Sequence, residues 1–211
     1  MSGSSIEALD LAALLCSRVC HDLISPVGAI VNGLEVLEES KDEETKTFAL
    51  DLIKKSAGNA SAKLQFCRIA FGAAGSAGAQ LDLGDAETIA RGFVEDDKTK
   101  LAWNLPRALL PKNRVKLLLN MLLIAGQAIP RGGLITVDSV GEGETMGFKI
   151  TAAGAYAKIL PATAALLAGE AGAEPLDAHR IQPFYAGLLA RECGVKAAMA
   201  MDGEAVVVSA Q

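Results

Sequence analysis

Between Ile6 and about Ser40, apolar residues recur at Leu11, Leu15, Val19, Leu23, Pro26, Ile30, Leu34 and Leu37. Their steps of four and three draw one stripe along a helix. Roughly 34 residues rising about 1.5 Å each would reach about 50 Å, far beyond the usual globular helix, so the stripe needs a partner of similar length. The charged segment from Glu38 to Glu44 makes a solvated turn, and a second stripe follows at Phe48, Leu52, Ile53, Ala57, Ala60, Leu64, Cys67 and Phe71. The two stripes form a helical hairpin. Two helices alone leave most of an apolar seam in water. Pairing hairpins from two chains into a four-helix bundle covers it, so the pattern predicts a homodimer.

The small residues from Gly72 to Ala79 break the periodicity and mark a domain boundary. They divide the chain into a hairpin domain over residues 1–75 and a second domain over residues 80–211. In the second domain a helix follows Asp85 to about Val94, and Lys100 to Leu105 alternates as a strand. Pro111 opens an apolar helix from Lys112 to about Ile129, which Pro130 and the Gly132-Gly133 turn bring to an end. Strands over Leu134–Val140 and Met146–Ala152 flank a Gly-Glu-Gly turn. Helices near Ala157–Ala168 and His179–Glu192 precede two last strands, Val195–Met201 and Glu204–Ser209. The expected fold class is an α helical hairpin followed by an α+β sandwich, with a sheet of about five strands carrying helices on one face. Trp103 is expected in the core.

Twenty Lys and Arg against 25 Asp and Glu, with a net charge of −5, leave no basic surface for a phosphate backbone. A nucleic-acid partner is therefore not expected. No run approaches the 18 or so uninterrupted apolar residues of a membrane span, and MSGSSIEALD lacks the basic start of a signal peptide. The expectation is a soluble, cytoplasmic chain with no membrane partner. Cys16, Cys20, Cys67 and Cys193 form no CxxC pair and are read as small buried hydrophobes. Cys16, Cys20 and His21 do not point one way on a helix and no second ligand cluster follows, so no metal site is expected.

With only two histidines in the chain, His21 and His179, histidine chemistry has two candidates. His179 lies in no recognisable acid or nucleophile pattern and is assigned no role. His21 lies about 200° round the helix from both Val19 and Leu23, so its imidazole points away from the seam. A lone histidine on a helix is ordinarily a residue without a task, but three features of its neighbourhood argue otherwise. Ser17, Ser25 and Gly28 share its face with side chains small enough to let another protein approach. Pro26 removes the amide that would bond the Asp22 carbonyl, which costs about 3 kcal/mol in an ordinary helix, although a bundle also tolerates such a kink for structural reasons. Asp22 can accept a hydrogen bond from Nδ1, fixing the tautomer and leaving the Nε2 lone pair free to attack a phosphoryl group.

The run His21-Asp22-Leu23-Ile24-Ser25-Pro26, followed by a helical hairpin, resembles the dimerisation and phosphoacceptor domain of sensor histidine kinases, whose pattern is His-Glu/Asp-Leu-x-x-Pro. Lys116 to Ala125, then Pro130-Arg131-Gly132-Gly133, is similar to the kinase asparagine box and its Pro-x-Gly-Gly turn. The departures bear on function. Ile124 stands where kinases carry the Mg²⁺-ligating asparagine, and an apolar side chain cannot hold Mg²⁺. Ala152-Ala153-Gly154-Ala155-Tyr156 replaces the adenine-reading Asp-x-Gly-x-Gly. Phe184 to Leu189 lacks the repeated glycines of a phosphate-cradling lid.

An acceptor histidine joined to a degenerate nucleotide site resembles the ChpT-type histidine phosphotransferases of alphaproteobacterial cell-cycle phosphorelays. The resemblance implies a phosphotransferase without ATP-dependent kinase activity. It implies acceptance of phosphoryl from the receiver aspartate of a hybrid histidine kinase, and donation to response-regulator receiver domains that control the cell cycle. His21 and Asp22 would be catalytic. Arg18, Ser25 and Gly28 would meet the partner. No cofactor belongs to the chain itself, since Mg²⁺ would come with the receiver domain. Two other readings stay open: a response-regulator phosphatase, with Ser25 positioning water four residues after the histidine, and a non-catalytic dimeric adaptor on a degenerate kinase fold.

Overall fold

The computed structural model describes residues 6–72, 79–141, 143, 146–170 and 175–211. Its first two elements are α1 (Ala8–Glu39) and α2 (Glu43–Ala70), antiparallel to each other. The turn between them is set by short polar side chains. The Asp42 carboxylate accepts from the Thr45 amide at 2.8 Å and from the Thr45 hydroxyl at 2.6 Å, capping α2. Those bonds hold the Asp42 carboxyl below its ordinary range, the hydroxyl contributing most. The Asp42 amide in turn donates to Ser40 Oγ.

Where the two helices meet, the side chains are small. Arg18, Pro26 and Gly33 of α1 are buried against a face of α2 that carries Ala49, Ser56, Ala60 and Cys67. A Cβ at Gly33 would come 2.7 Å from Ile53 Cγ1, so the helix axes approach closely at this point. The expected seam is thereby resolved into two. The stripe from Leu11 to Leu37 straddles the α2-facing side, and most of it is only half buried, with Leu34 exposed. A separate outward stripe, Leu9, Cys16, Cys20, Ile24, Val27, Val31 and Leu34, is open to solvent. Cys16 and Cys20 are therefore exposed rather than buried as expected, because they belong to the face that α2 does not cover. Cys67 is buried and Cys193 half-buried.

The second half comprises β1 (Gln80–Asp82), α3 (Leu83–Val94), β2 (Thr99–Trp103), β3 (Leu109–Pro111), α4 (Lys112–Ala128), β4 (Gly133–Val140), β5 (Gly147–Ala153), α5 (Thr163–Ala168), α6 (Ile181–Glu192), β6 (Ala197–Asp202) and β7 (Ala205–Ala210). Five strands form one sheet in the order β2-β4-β5-β7-β6, with β2 parallel to β4 and the other pairs antiparallel. The inward residues Ile135, Val137, Phe148, Ile150, Ala152, Val206 and Val208 meet α4, whose residues from Val115 to Ala125 are all buried. Trp103 packs half-buried against this core. In the turn from α4 to β4, Gly132 has φ +83°, and a Cβ there would clash with the Lys98 backbone, so glycine is required.

Several element boundaries differ from expectation. The helix expected over 157–168 is helical only from Thr163, because Pro161 keeps the residue before it out of helical geometry and Ala162 adopts φ +62°. Two short antiparallel strands, β1 and β3, were not anticipated; each has three residues, too few for alternation to register. The helix expected to begin after Asp85 starts at Leu83, because the Asp82 carboxylate caps Gly84 and Asp85. Most of the expected interdomain segment, residues 73–78, and Glu142 of the Gly-Glu-Gly turn lie outside the described residues.

Two contacts seat the second half on the hairpin. The buried Asn120 side-chain amide of α4 donates to the Ala70 carbonyl at 3.0 Å, beside Phe66 and Ala70, which share the main core with α3 and α4. Nearer the start of α1, Leu11, Leu14 and Leu15 pack on Leu166, Ile181 and Phe184 of α5 and α6. Phe184→Ala should therefore lower stability by about 3–5 kcal/mol. Urea unfolding should show this as an earlier single transition, with hairpin and sheet melting together. Loss of the sheet alone would show that the apolar seat does not couple them.

Candidate functional site

Pro26, buried between the two helices, cannot bond the Asp22 carbonyl one turn before it. That carbonyl receives a replacement donor from the other helix: Lys63 Nζ of α2 lies 3.1 Å from it. The missing helical hydrogen bond is thus exchanged for a charge-assisted bond between the two arms of the hairpin, which fixes the register of α2 directly beneath the histidine.

The Asp22 side chain makes two further contacts. Arg18 Nε donates to Oδ2 at 3.1 Å, and His21 Nδ1 lies 3.4 Å from Oδ1, at the long end of hydrogen-bond reach. The carboxylate is 12% exposed and the His21 side chain 58% exposed. The cluster therefore has a buried base and an open tip. Arg18 differs from expectation, because it is buried instead of lying on the surface, and it lines the cleft beside His21. Ser25 is exposed on the histidine face, and a methyl group added at Gly28 would meet nothing within 4 Å. Below the cluster, burial foremost, and then the Asp22 charge, push the Cys67 thiol up to about 11, so it stays protonated at neutral pH.

The cleft beside His21 measures about 550 Å³ and lies between α1 and the second half of the chain. Arg18, Lys158 and Arg180 line it together with both histidines, and among the described residues its lining holds no carboxylate. His179, which sequence reasoning left without a role, stands with its ring 5.2 Å from that of His21 between centroids and at 78° to it. Among the described residues, no group of three or more His, Cys, Asp or Glu is placed to hold a metal ion.

The positions corresponding to the kinase nucleotide motifs are filled in another way. Ile124 and Ala152 are both packed in the hydrophobic core, where neither supplies an oxygen to a cation or an acceptor to an adenine amine. Tyr156 is exposed, with φ +66°, and the Arg131 guanidinium lies 4.0 Å over its ring.

The bond from Lys63 gives a double-mutant cycle. Lys63→Met should cost about 1–2 kcal/mol in the natural background. In a Pro26→Ala background the helix regains its own amide donor, so the same change should cost much less. Denaturant unfolding of the four proteins measures the coupling, and additive effects would show that Lys63 does not substitute for the missing amide.

Residues 83–205 match the family model of the histidine phosphotransferase C-terminal domain. The chain is 53% identical over 207 residues to the protein phosphotransferase ChpT of Brucella abortus (strain 2308), covering 98% of each. It also superposes on a solved bacterial phosphotransferase with a TM-score of 0.89 at 50% identity, over the full length of both chains. An open histidine on a helical hairpin, a second half with Ile124 and Ala152 packed as core at two nucleotide-motif positions, and likeness along the whole chain agree: the chain belongs to the histidine phosphotransferase family, whose members carry a phosphoryl group within a phosphorelay.

Proposed function

We propose that His21 is the residue that carries the phosphoryl group, taking it from the receiver aspartate of a hybrid histidine kinase and giving it to response-regulator receiver domains, those of cell-cycle control among them. The observation that carries this reading is the chain Arg18–Asp22–His21, in which a buried ion pair presents a carboxylate to Nδ1 of an open imidazole. With its proton on Nδ1, directed at Asp22, the ring keeps the Nε2 lone pair for attack. That pair forms the N–P bond as the P–O bond to the partner's aspartate breaks, and the bonding electrons leave with the carboxylate oxygen. The reverse displacement, at a second receiver, returns the ring to its starting state. Asp22 stabilises the cationic charge that the phosphorylated ring carries while Nδ1 keeps its proton. Positioning and charge neutralisation supply most of the acceleration in such transfers.

On this reading the chain needs no cofactor of its own, and Mg²⁺ arrives with the receiver. Ser25 and Gly28 form the open ground on which a receiver lands, and Arg18 meets the phosphoryl group from inside the cleft. Incubation with γ-labelled ATP alone should leave His21 unlabelled, whereas a phosphorylated receiver domain should label it. His21→Ala should abolish that labelling without loss of fold, since the side chain is exposed. Label taken from ATP would mean a kinase, loss of receiver phosphate with no phosphohistidine would mean a phosphatase acting through Ser25, and partner regulation unchanged by His21→Ala would mean an adaptor.

The same reading makes the working form a homodimer in the cytoplasm. By length and composition alone α1 is apolar enough to cross a membrane. It nevertheless carries the Arg18–Asp22 pair near its middle, and its apolar outward stripe suits a four-helix bundle. Ile24, Val27, Val31 and Leu34 follow one another at steps of three, four and three, the spacing of helices that pack along their length. Val31→Glu should give a folded monomer by light scattering, with helix content retained. A dimer surviving that change would place the interface elsewhere.

A further inference from the structure

We propose that His179 is a positioning residue for transfer at His21, so that the site is completed by the second half of the chain; this rests on the reading of His21 as phosphoacceptor. The His21 ring is mostly solvent-exposed, and its hydrogen bond to Asp22 is long. Rotation about the terminal torsion of such a side chain is broad, so an unsupported ring points Nε2 along the line of attack only part of the time. His179 supplies the support. Its ring meets that of His21 at 5.2 Å and 78°, the edge-to-face arrangement that aromatic rings favour.

His179 is itself held. The backbone amides of His179 and Arg180 both donate to Asp177 Oδ1 at 2.8 Å, which keeps that carboxyl below its ordinary range, the Arg180 amide contributing most. Just beyond, Ile181 and Phe184 anchor the same segment on Leu14 and Leu15 of α1. A continuous path of contacts therefore runs from the apolar seat between the two halves, through the turn that Asp177 holds before α6, to the His21 ring. The phosphoryl group would arrive in the cleft that both rings share with Arg18, Lys158 and Arg180, whose described lining carries cations and no carboxylate.

A positioning role acts on the bound complex and leaves receiver docking alone. His179→Ala, at an exposed residue, should lower the maximal transfer rate from a phosphorylated receiver by about three- to tenfold. The receiver concentration giving half that rate should not change. His179→Phe, which keeps a ring without its nitrogens, should restore most of the rate. The Cε1–H resonance of His21 should move in the alanine variant, through loss of the neighbouring ring, and return toward its original place in the phenylalanine variant. Wild-type rates in His179→Ala, a change confined to the half-saturating concentration, a phenylalanine variant as slow as alanine, or an unmoved resonance would each overturn the proposal. Failure of the unsubstituted protein to accept phosphoryl would overturn the phosphoacceptor reading itself, whereas acceptance with an indifferent His179→Ala overturns only the role of His179.

Discussion

Three constraints meet at Asp22. Its carbonyl has lost a helical donor to Pro26 and taken one from Lys63 on the opposite helix, and its carboxylate lies between Arg18 and His21. Removing the carboxylate would leave the guanidinium of Arg18 buried and unpaired at this point, which costs more than the pair contributes. Removing the carbonyl's new donor would loosen the hairpin where the histidine sits. The proline is thus no isolated irregularity of α1. It opens a backbone acceptor through which the second helix holds the first in register, and the carboxylate of that same residue faces the His21 ring.

The second half of the chain reads as a scaffold whose polar ligand positions have been converted to packing. Ile124 and Ala152 lie in a continuous core with α4, β5 and β7. An asparagine and an aspartate at those places would need partners in order to be buried. The apolar residues need none, and each adds contact area. A domain so filled gains rigidity, and it spends that rigidity at two seats on the hairpin: Asn120 on the end of α2, and Ile181 with Phe184 on the first turns of α1. Both seats flank the histidine cluster.

Much of this was legible in the chain. The hairpin, the apolar α4 bounded by Pro111 and the Gly132-Gly133 turn, and the five long strands each carry a local periodic signal, and the His21 motif carries its own. Lys63 was within reach: a turn centred near Lys41 sets Asp22 within about one helical turn of it, and the proline had already identified the acceptor in want of a donor. His179 was not, because its importance comes from a contact across more than 150 residues that no spacing or period encodes. The burial of Arg18 was hidden for a similar reason. On α1 alone it is a charged residue one turn before a histidine, and only the closeness of α2 and α4 encloses it. The single stripe read from Leu11 to Leu37 blended two seams, because residues between the two interfaces are half buried by one and border the other.

The division of faces on α1 explains how one helix serves several contacts without conflict. Taking Asp22 as the zero of rotation, the residues packed on α2, Arg18, Pro26 and Gly33, lie within about 40° of it. The outward stripe of Cys20, Ile24, Val27 and Val31 is centred roughly 170° away. His21, Ser25 and Gly28 fall on the remaining side, at about 60° to 120° in the opposite sense. A partner hairpin laid on the outward stripe would therefore leave the imidazole uncovered, and α2 cannot reach round to it. The turn before α6 approaches from that side, and it arrives with a second imidazole and with Arg180. Helical rotation keeps His21 off both apolar seams, so the proposed dimerisation and phosphoryl access would impose separable demands on the sequence of one helix.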